Sequence, residues 1–382
     1  MSDAVRIAIL ALAVALGVCL ACGGHGGDDD GIPAADDDLA DDDAGGDDAG
    51  DDDTGSGRPH PYTPCCDVAP GDVPIADPAL PADGAGPYLA VRSDRTFVDA
   101  ARGREIPAYV YFPSRDGLTP TDDGAPFPVV TVAHGFSESR GMMAMYGERL
   151  ATWGYVAIVP QLPYTSVLQV MKMSHTQSAK DLLFLLNTAC CEDEDVSSLF
   201  YGRVDRARLG AVGHSLGGKL STLAAYLDGG VLAAAGLDPV DGAGPIDVGP
   251  DNPDFPTMVP DRVAALTIPT LYLGSELGGT PFLGQACAPT DQNYHQFWLY
   301  SPSPSVEIML VGADHTDFVS PIPLDPCDIG TADPARVVAL AEEYVTAFLN
   351  DRLRGWERFR DDYAGAGVDA DQAAGAVVWE RK

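Results

Sequence analysis

The sequence Gly213-His214-Ser215-Leu216-Gly217 places a serine between two glycines at the spacing G-x-S-x-G. Between a strand and a helix, such a turn holds the serine Oγ clear of the sheet, and the small flanking residues make room for a strained backbone. Ser215 is therefore the candidate nucleophile. A serine hydroxyl is a weak nucleophile at neutral pH, so it needs a base, and the base needs a carboxylate to fix its tautomer. Where this turn sits in a sheet of parallel strands, the three groups follow in the order Ser, acid, His. Of the seven histidines, His25, His60, His134 and His175 precede the serine and His214 lies in the turn itself, which leaves His295 and His315. His315 follows the last predicted strand, so topology selects it as the base and assigns His295 a structural or pocket role. Three acids lie at predicted strand ends, Asp238, Asp241 and Glu276, and spacing alone leaves that choice open. Acyl attack creates an oxyanion that needs preorganised N–H donors. The backbone N–H groups of Phe136, in His134-Gly135-Phe136, and of Leu216 are the candidates.

These residues need a scaffold that brings distant strand ends together. From Pro87 onward, short β-rich runs alternate with helical segments, which predicts an α/β fold with a mostly parallel central sheet flanked by helices. An opening hairpin is expected over Arg95–Ala100 and Ile106–Phe112, with later strands at Phe127–Ala133, Tyr155–Pro160, Arg208–Gly213, Leu232–Leu237, Pro269–Gly274 and Val306–Val311. Helices are expected near Met143–Trp153, over Ala179–Thr188 and Lys219–Leu227, and over Pro334–Leu353, whose apolar residues form one broad stripe. Residues 65–354 form the expected catalytic domain, and the tail 355–382 shows no clear period. Phe136, Met142, Met143, Met145 and Tyr164 could line a pocket, although such a cluster more often forms core.

The 382 residues carry 23 Lys plus Arg against 57 Asp plus Glu, a formal charge of −34. That excludes a nucleic-acid binder, because nothing could neutralise the phosphates. Fourteen of the acids are Asp between Gly23 and Gly57, a stretch without Lys or Arg. Residues 23–64 therefore read as a solvated acidic tether with too few large apolar side chains to order itself. Ahead of it, Ile7–Ala21 is an unbroken apolar run, too short for a comfortable membrane span. With Cys19-Leu20-Ala21-Cys22-Gly23 it reads as a lipoprotein-type signal peptide over residues 1–22, with Cys22 the lipidated residue. The expectation is an exported bacterial envelope lipoprotein, held at a membrane by its N-terminal lipid, with ordinary secretion as the alternative. Six further cysteines, Cys65, Cys66, Cys190, Cys191, Cys287 and Cys327, suggest disulfides in an exported chain. Cys287 with Cys327, and one of Cys65/Cys66 with one of Cys190/Cys191, are the expected pairings. Their spacing does not suit zinc, and neither a metal nor an organic cofactor is expected.

Taken together, the motifs resemble the chlorophyllase family of the α/β-hydrolase superfamily. The likeness is collinear: VAHGF (132–136), GYVAIVPQL (154–162), GHSLGGK (213–219), GLDPVDG (236–242), IPTLYLGSELGG (268–279), CAPTDQNYHQFW (287–298) and GADHTDF (312–318). The resemblance implies an α/β-hydrolase fold and a serine carboxylic-ester hydrolase acting through an acyl-enzyme. It implies Asp238, 23 residues after Ser215, as the acid, beside His315. Leu216 stands where plant members carry a basic residue. Cutinases and platelet-activating-factor acetylhydrolases are similar in fold and serine turn. A monomer acting on a small or lipid-like ester is expected. The alternatives are a non-catalytic surface or binding protein with a hydrolase shell and another acyl hydrolase, such as a thioesterase.

Overall fold

A computed structural model describes residues 60–69, 71, 76–164, 174–242, 252–281, 286–321, 327 and 329–382. The signal peptide, Cys22 and residues 23–59 of the tether lie outside the described residues.

The strands are β1 (Leu89–Asp99), β2 (Arg104–Ser114), β3 (Phe127–Ala133), β4 (Val156–Pro160), β5 (Val204–His214), β6 (Val231–Leu237), β7 (Thr270–Ser275), β8 (Ser305–Leu310) and β9 (Val377–Arg381). They form one sheet in the order β1-β2-β4-β3-β5-β6-β7-β8-β9. The neighbours from β4 through β8 run parallel. Antiparallel pairs β1/β2, β2/β4 and β8/β9 complete the two sides.

The helices are α1 (Ala144–Thr152), α2 (His175–Glu194), α3 (Leu216–Leu227), α4 (Asp261–Ala264), α5 (Tyr294–Tyr300), α6 (Pro334–Arg354), α7 (Arg360–Ala364) and α8 (Ala366–Ala373). Alternation along the strands sends side chains to two cores. In β3, Phe127, Val129 and Ala133 join the core under α2 and α3, while Val130 and Val132 join the core under α1 and α6. Both faces are covered, so the central strands are apolar throughout, as a parallel sheet requires.

The predicted strands and long helices are present with shifted ends. Helix α2 extends past the expected Ala179–Thr188 at both ends; at the amino end the Ser174 side chain accepts the Gln177 N–H and caps it one turn earlier. The tail, for which no element was expected, is ordered. Its α7 packs on α6, its α8 packs on α7 and β9, and β9 pairs with β8 as the ninth strand. Its signal is faint because only Val377 of β9 is buried.

All three disulfides follow the expected grouping, pairing Cys65 with Cys191, Cys66 with Cys190 and Cys287 with Cys327. A short 3-10 turn, Pro64–Cys66, lies against the last turns of α2, and this sets the order within the adjacent pairs. Just before it, the Tyr62 N–H and Thr63 hydroxyl both donate to the Asp228 carboxylate at 2.9 Å. No helix among the described residues is long and apolar enough to cross a membrane.

Candidate active site

The parallel strands end on one side of the sheet, and the candidate residues gather there. Ser215 follows β5 directly and opens α3. Its backbone has φ 53° and ψ −122°, a conformation that an L-residue adopts only under constraint. Neighbouring glycines permit it. A Cβ on Gly213 would lie 2.2 Å from the Gly217 carbonyl oxygen, and one on Gly217 would lie 2.3 Å from that of Ala133. The G-x-S-x-G spacing is thus a steric requirement of threading this turn beside β3.

His315 opens a 3-10 turn (His315–Phe318) beyond β8, and its Nε2 lies 2.9 Å from Ser215 Oγ. Its Nδ1 lies 2.8 Å from Asp238 Oδ2. Asp238, just past β6, is fully buried, with φ 43°. Its Oδ2 also accepts the Ser275 hydroxyl at 2.6 Å, and its Oδ1 accepts the Ser275 N–H at 3.3 Å. Two residues past Asp238, the Val240 N–H returns to the Ser215 carbonyl at 3.3 Å. Acid and serine loops are therefore linked through backbone as well as through His315.

Of the other candidate acids, Glu276 accepts the Gly312 N–H at 2.7 Å and braces the loop leading to His315. Asp241 forms a buried ion pair with Lys219 at 3.0 Å and accepts the Met258 and Val259 N–H groups. Burial pushes the Lys219 ammonium below its ordinary value, although Asp241 opposes the shift. His295 lies on α5, where its Nδ1 meets Glu307 at 2.9 Å and its ring meets Trp298.

The Phe136 loop sits against the serine, since a Cβ on Gly135 would lie 2.9 Å from Ser215 Cβ. Neither the Phe136 nor the Leu216 N–H has a hydrogen-bond partner among the described residues, so both donors remain available. Phe136 is half-buried, and Met145 likewise. Met142, Met143 and Tyr164 are buried in the two cores, the bland reading of that cluster.

Residues that spacing did not single out complete the surroundings. Asp314 caps the His315 turn by accepting the Thr316 N–H at 2.9 Å, and its Oδ2 accepts the N–H groups of Ile329 and Gly330 at 2.8 and 2.7 Å. The Asp-x-x-Asp of Asp314 and Asp317 is a capping signal visible in the sequence. Ser275 and Glu138 carried no such signal, because their partners are 37 and 76 residues away. Among the described residues, no group of three or more His, Cys, Asp or Glu is placed to hold a metal ion.

A mostly parallel sheet covered on both faces, with a serine turn, histidine loop and acid loop converging at its carboxyl edge, defines an α/β-hydrolase. The family profile described as chlorophyllase matches residues 117–322, more than half the chain, and the chain belongs to the chlorophyllase family. It is 26% identical over 250 residues to Chlorophyllase-1, chloroplastic, of Citrus unshiu, covering 62% of this chain and 72% of the relative. It is also 26% identical over 176 residues to cutinase est2 of Thermobifida alba, covering 44% of this chain and 50% of the relative. Cutinase cut1 of Thermobifida fusca is 25% identical over 215 residues, covering 52% of this chain and 57% of the relative. With chlorophyllases and cutinases as its relatives, the protein is a carboxylic ester hydrolase.

Proposed function

We propose that this ester hydrolase works through an acyl-enzyme on Ser215. The observation that carries the reading is the unbroken hydrogen-bonded chain from Ser215 Oγ through His315 to Asp238, at 2.9 and 2.8 Å. Ser215 Oγ attacks the ester carbonyl carbon while His315 Nε2 takes its proton. The oxyanion is met by the N–H groups of Phe136 and Leu216. Collapse of the tetrahedral intermediate breaks the ester C–O bond, and His315 returns the proton to the departing alcohol. Water, deprotonated by the same nitrogen, then releases the carboxylic acid and frees Ser215. Asp238 accepts the Nδ1 proton of His315 and stabilises the imidazolium, and the two Ser275 donors hold the Asp238 carboxylate in place.

The relatives, named chlorophyllases and cutinases, direct the substrate reading towards esters with a long apolar alcohol or acyl part. The test is hydrolysis of a p-nitrophenyl ester chain-length series and of chlorophyll by the purified protein and by Ser215→Ala. Turnover lost in Ser215→Ala, with a preference for long chains, is expected. Turnover that survives Ser215→Ala overturns the acyl-enzyme. A folded protein that hydrolyses none of these esters points instead to a binding protein with a hydrolase shell.

Three disulfides suit an oxidising compartment, which supports an exported protein. In this reading residues 1–22 are a lipoprotein signal, Cys22 carries the lipid, and the tether ends before residue 60, short of the expected residue 64, because Tyr62 and Thr63 are held on Asp228; the catalytic domain follows as a monomer. Radiolabelled palmitate incorporated by the parent and lost in Cys22→Ala is the expected result. Equal labelling of the two removes the anchor.

A further inference from the structure

Two buried side chains outside the Ser215–His315–Asp238 chain lie directly against it. His214, the last residue of β5, is 0% exposed, and Glu138, five residues past β3, is 6% exposed. Glu138 uses its two oxygens separately. Oε2 accepts the Gly135 N–H at 2.6 Å, and Oε1 faces His214 Nδ1 at 2.7 Å. The other ring nitrogen of His214, Nε2, faces the backbone carbonyl oxygen of His315 at 2.7 Å. A carboxylate and a carbonyl only accept, so an imidazole that satisfies both carries a proton on each nitrogen. Nearby His134 illustrates the opposite case. Its Nε2 accepts the Leu162 N–H at 2.9 Å, which leaves the proton on Nδ1, 2.8 Å from the Gly135 carbonyl.

The groups facing His214 come from three loops: Glu138 and His134 beyond β3, Asp238 beyond β6, and the His315 ring at 4.8 Å in the base loop, where Phe318 also stacks on His214 at 6.1 Å. Burial alone would push the His214 imidazole down, but Glu138, the His315 carbonyl and Asp238 more than offset it and hold it above its ordinary value. Burial alone would raise Glu138, but His214 and the Gly135 N–H hold it below the ordinary carboxylate range.

We propose that Glu138 and His214 form a positioning ion pair that holds the loop bearing the Phe136 N–H and the loop bearing His315 against the strand that presents Ser215. At one end, Glu138 takes the Gly135 N–H and returns its own N–H to the Gly135 carbonyl at 3.4 Å, closing a turn in which Ser137 has φ 64°. Phe136 lies inside that turn. At the other end, His214 grips the main chain of the residue whose ring must reach Ser215. The pair is neutral as a unit, which matters because an uncompensated carboxylate beside the oxyanion would oppose the charge that develops there. Removing the clamp costs catalysis through geometry, and an ångström of misplacement is enough to cost about a hundredfold.

The inference rests on the acyl-enzyme reading of Ser215, so the experiment separates the two. Glu138→Ala and Glu138→Gln are compared with the parent in kcat, KM and pH profile on a p-nitrophenyl ester, normalised to folded protein, with Ser215→Ala alongside. Glu138→Ala removes both anchors, and kcat is expected to fall about tenfold or more with KM little changed. Glu138→Gln keeps an acceptor for Gly135 and turns its amide towards Nδ1 of a neutral His214, which still donates from Nε2. Most of kcat is therefore restored.

The pH profile distinguishes this role from mere packing. In the parent, the two acceptors facing His214 favour its doubly protonated form, and loss of the second proton as pH rises through its raised pKa produces an alkaline decline in kcat. Glu138→Gln has no such proton to lose, so that decline disappears. Imidazole 15N shifts, read in Ser215→Ala so that turnover plays no part, are expected to show His214 protonated on both nitrogens at about pH 7. A neutral His214 there overturns the proposal, and so does kcat in Glu138→Ala within about twofold of the parent. Should Glu138→Ala fail to fold, the Glu138→Gln profile and the 15N shifts decide alone. Turnover that survives Ser215→Ala removes the acyl-enzyme reading instead, and the 15N result still stands.

Discussion

The two ends of the parallel strands are held by different means. At the amino ends, adjacent disulfides join the Pro64–Cys66 turn to the last turns of α2, and the Asp228 carboxylate takes donors from Tyr62 and Thr63. At the carboxyl ends, buried charges and main-chain groups hold the loops: Asp238 with Ser275, Glu138 with His214, Asp241 with Lys219, Glu276 with Gly312 and Asp314 with Gly330. One disulfide, Cys287–Cys327, reaches this end and ties the segment before α5 to the segment after the base loop. A cross-link stabilises chiefly by restricting the unfolded chain, and it does not aim a particular atom. Hydrogen bonds to buried charges are directional, and they cost dearly when left unpaired, so they fix loop geometry. The amino end thus supplies stability and the carboxyl end supplies alignment.

This contrast can be broken most strongly at the acid. Asp238→Asn removes the carboxylate charge and lets an amide N–H face His315 Nδ1, which selects the wrong tautomer, and is expected to lower kcat about 10⁴-fold with little change in thermal stability, whereas Glu276→Gln stays within a few-fold of the parent. Steady-state kinetics of the two variants, which reverse if Glu276 is the acid, check this. The amino end should respond in stability alone. Cys65–Cys191 closes 126 residues, and its loss together with that of its neighbour should cost about 4–5 kcal/mol by chain entropy while kcat of the folded protein is unchanged. Either bridge removed singly should cost about 1 kcal/mol or less, because the remaining one already closes nearly the same loop. Denaturant unfolding of the single-bridge and double-bridge serine variants measures this non-additivity.

The rim disulfide lies between these cases. With Cys287 and Cys327 both replaced by alanine, kcat should fall several-fold well below the unfolding temperature, which no change at the amino-end bridges should produce. The smallest effect belongs to α6. Burial, only partly opposed by Arg149, pushes Glu342 up to about 7. A carboxyl raised in the folded state keeps its contribution below the unfolded pKa and loses it as pH rises through 7. Glu342→Gln should therefore stabilise at pH 8 by about 1 kcal/mol or less, after discounting for partial exposure, and by nothing near pH 4. Thermal melts at the two pH values test the sign.

Sequence spacing was enough to place Ser215, because the strained turn demands glycines on both sides and a strand-to-helix context, all of which are local. His315 followed from chain order and from the strand before it. The long elements were legible from the periodicity of their apolar residues, and the grouping of the six cysteines from their adjacency.

The choice among Asp238, Asp241 and Glu276 was not legible in spacing, since all three follow strands. Tertiary structure separates them by where each carboxylate points: towards His315, towards Lys219 and towards the Gly312 N–H. The same reason hid the roles of Glu138, His214 and Ser275, and the ninth strand, whose partner lies about 70 residues upstream in β8. Local sequence determines backbone strain and periodicity because those arise between near neighbours. Which buried charge meets which donor depends on strand register and loop packing, and only the assembled sheet decides it.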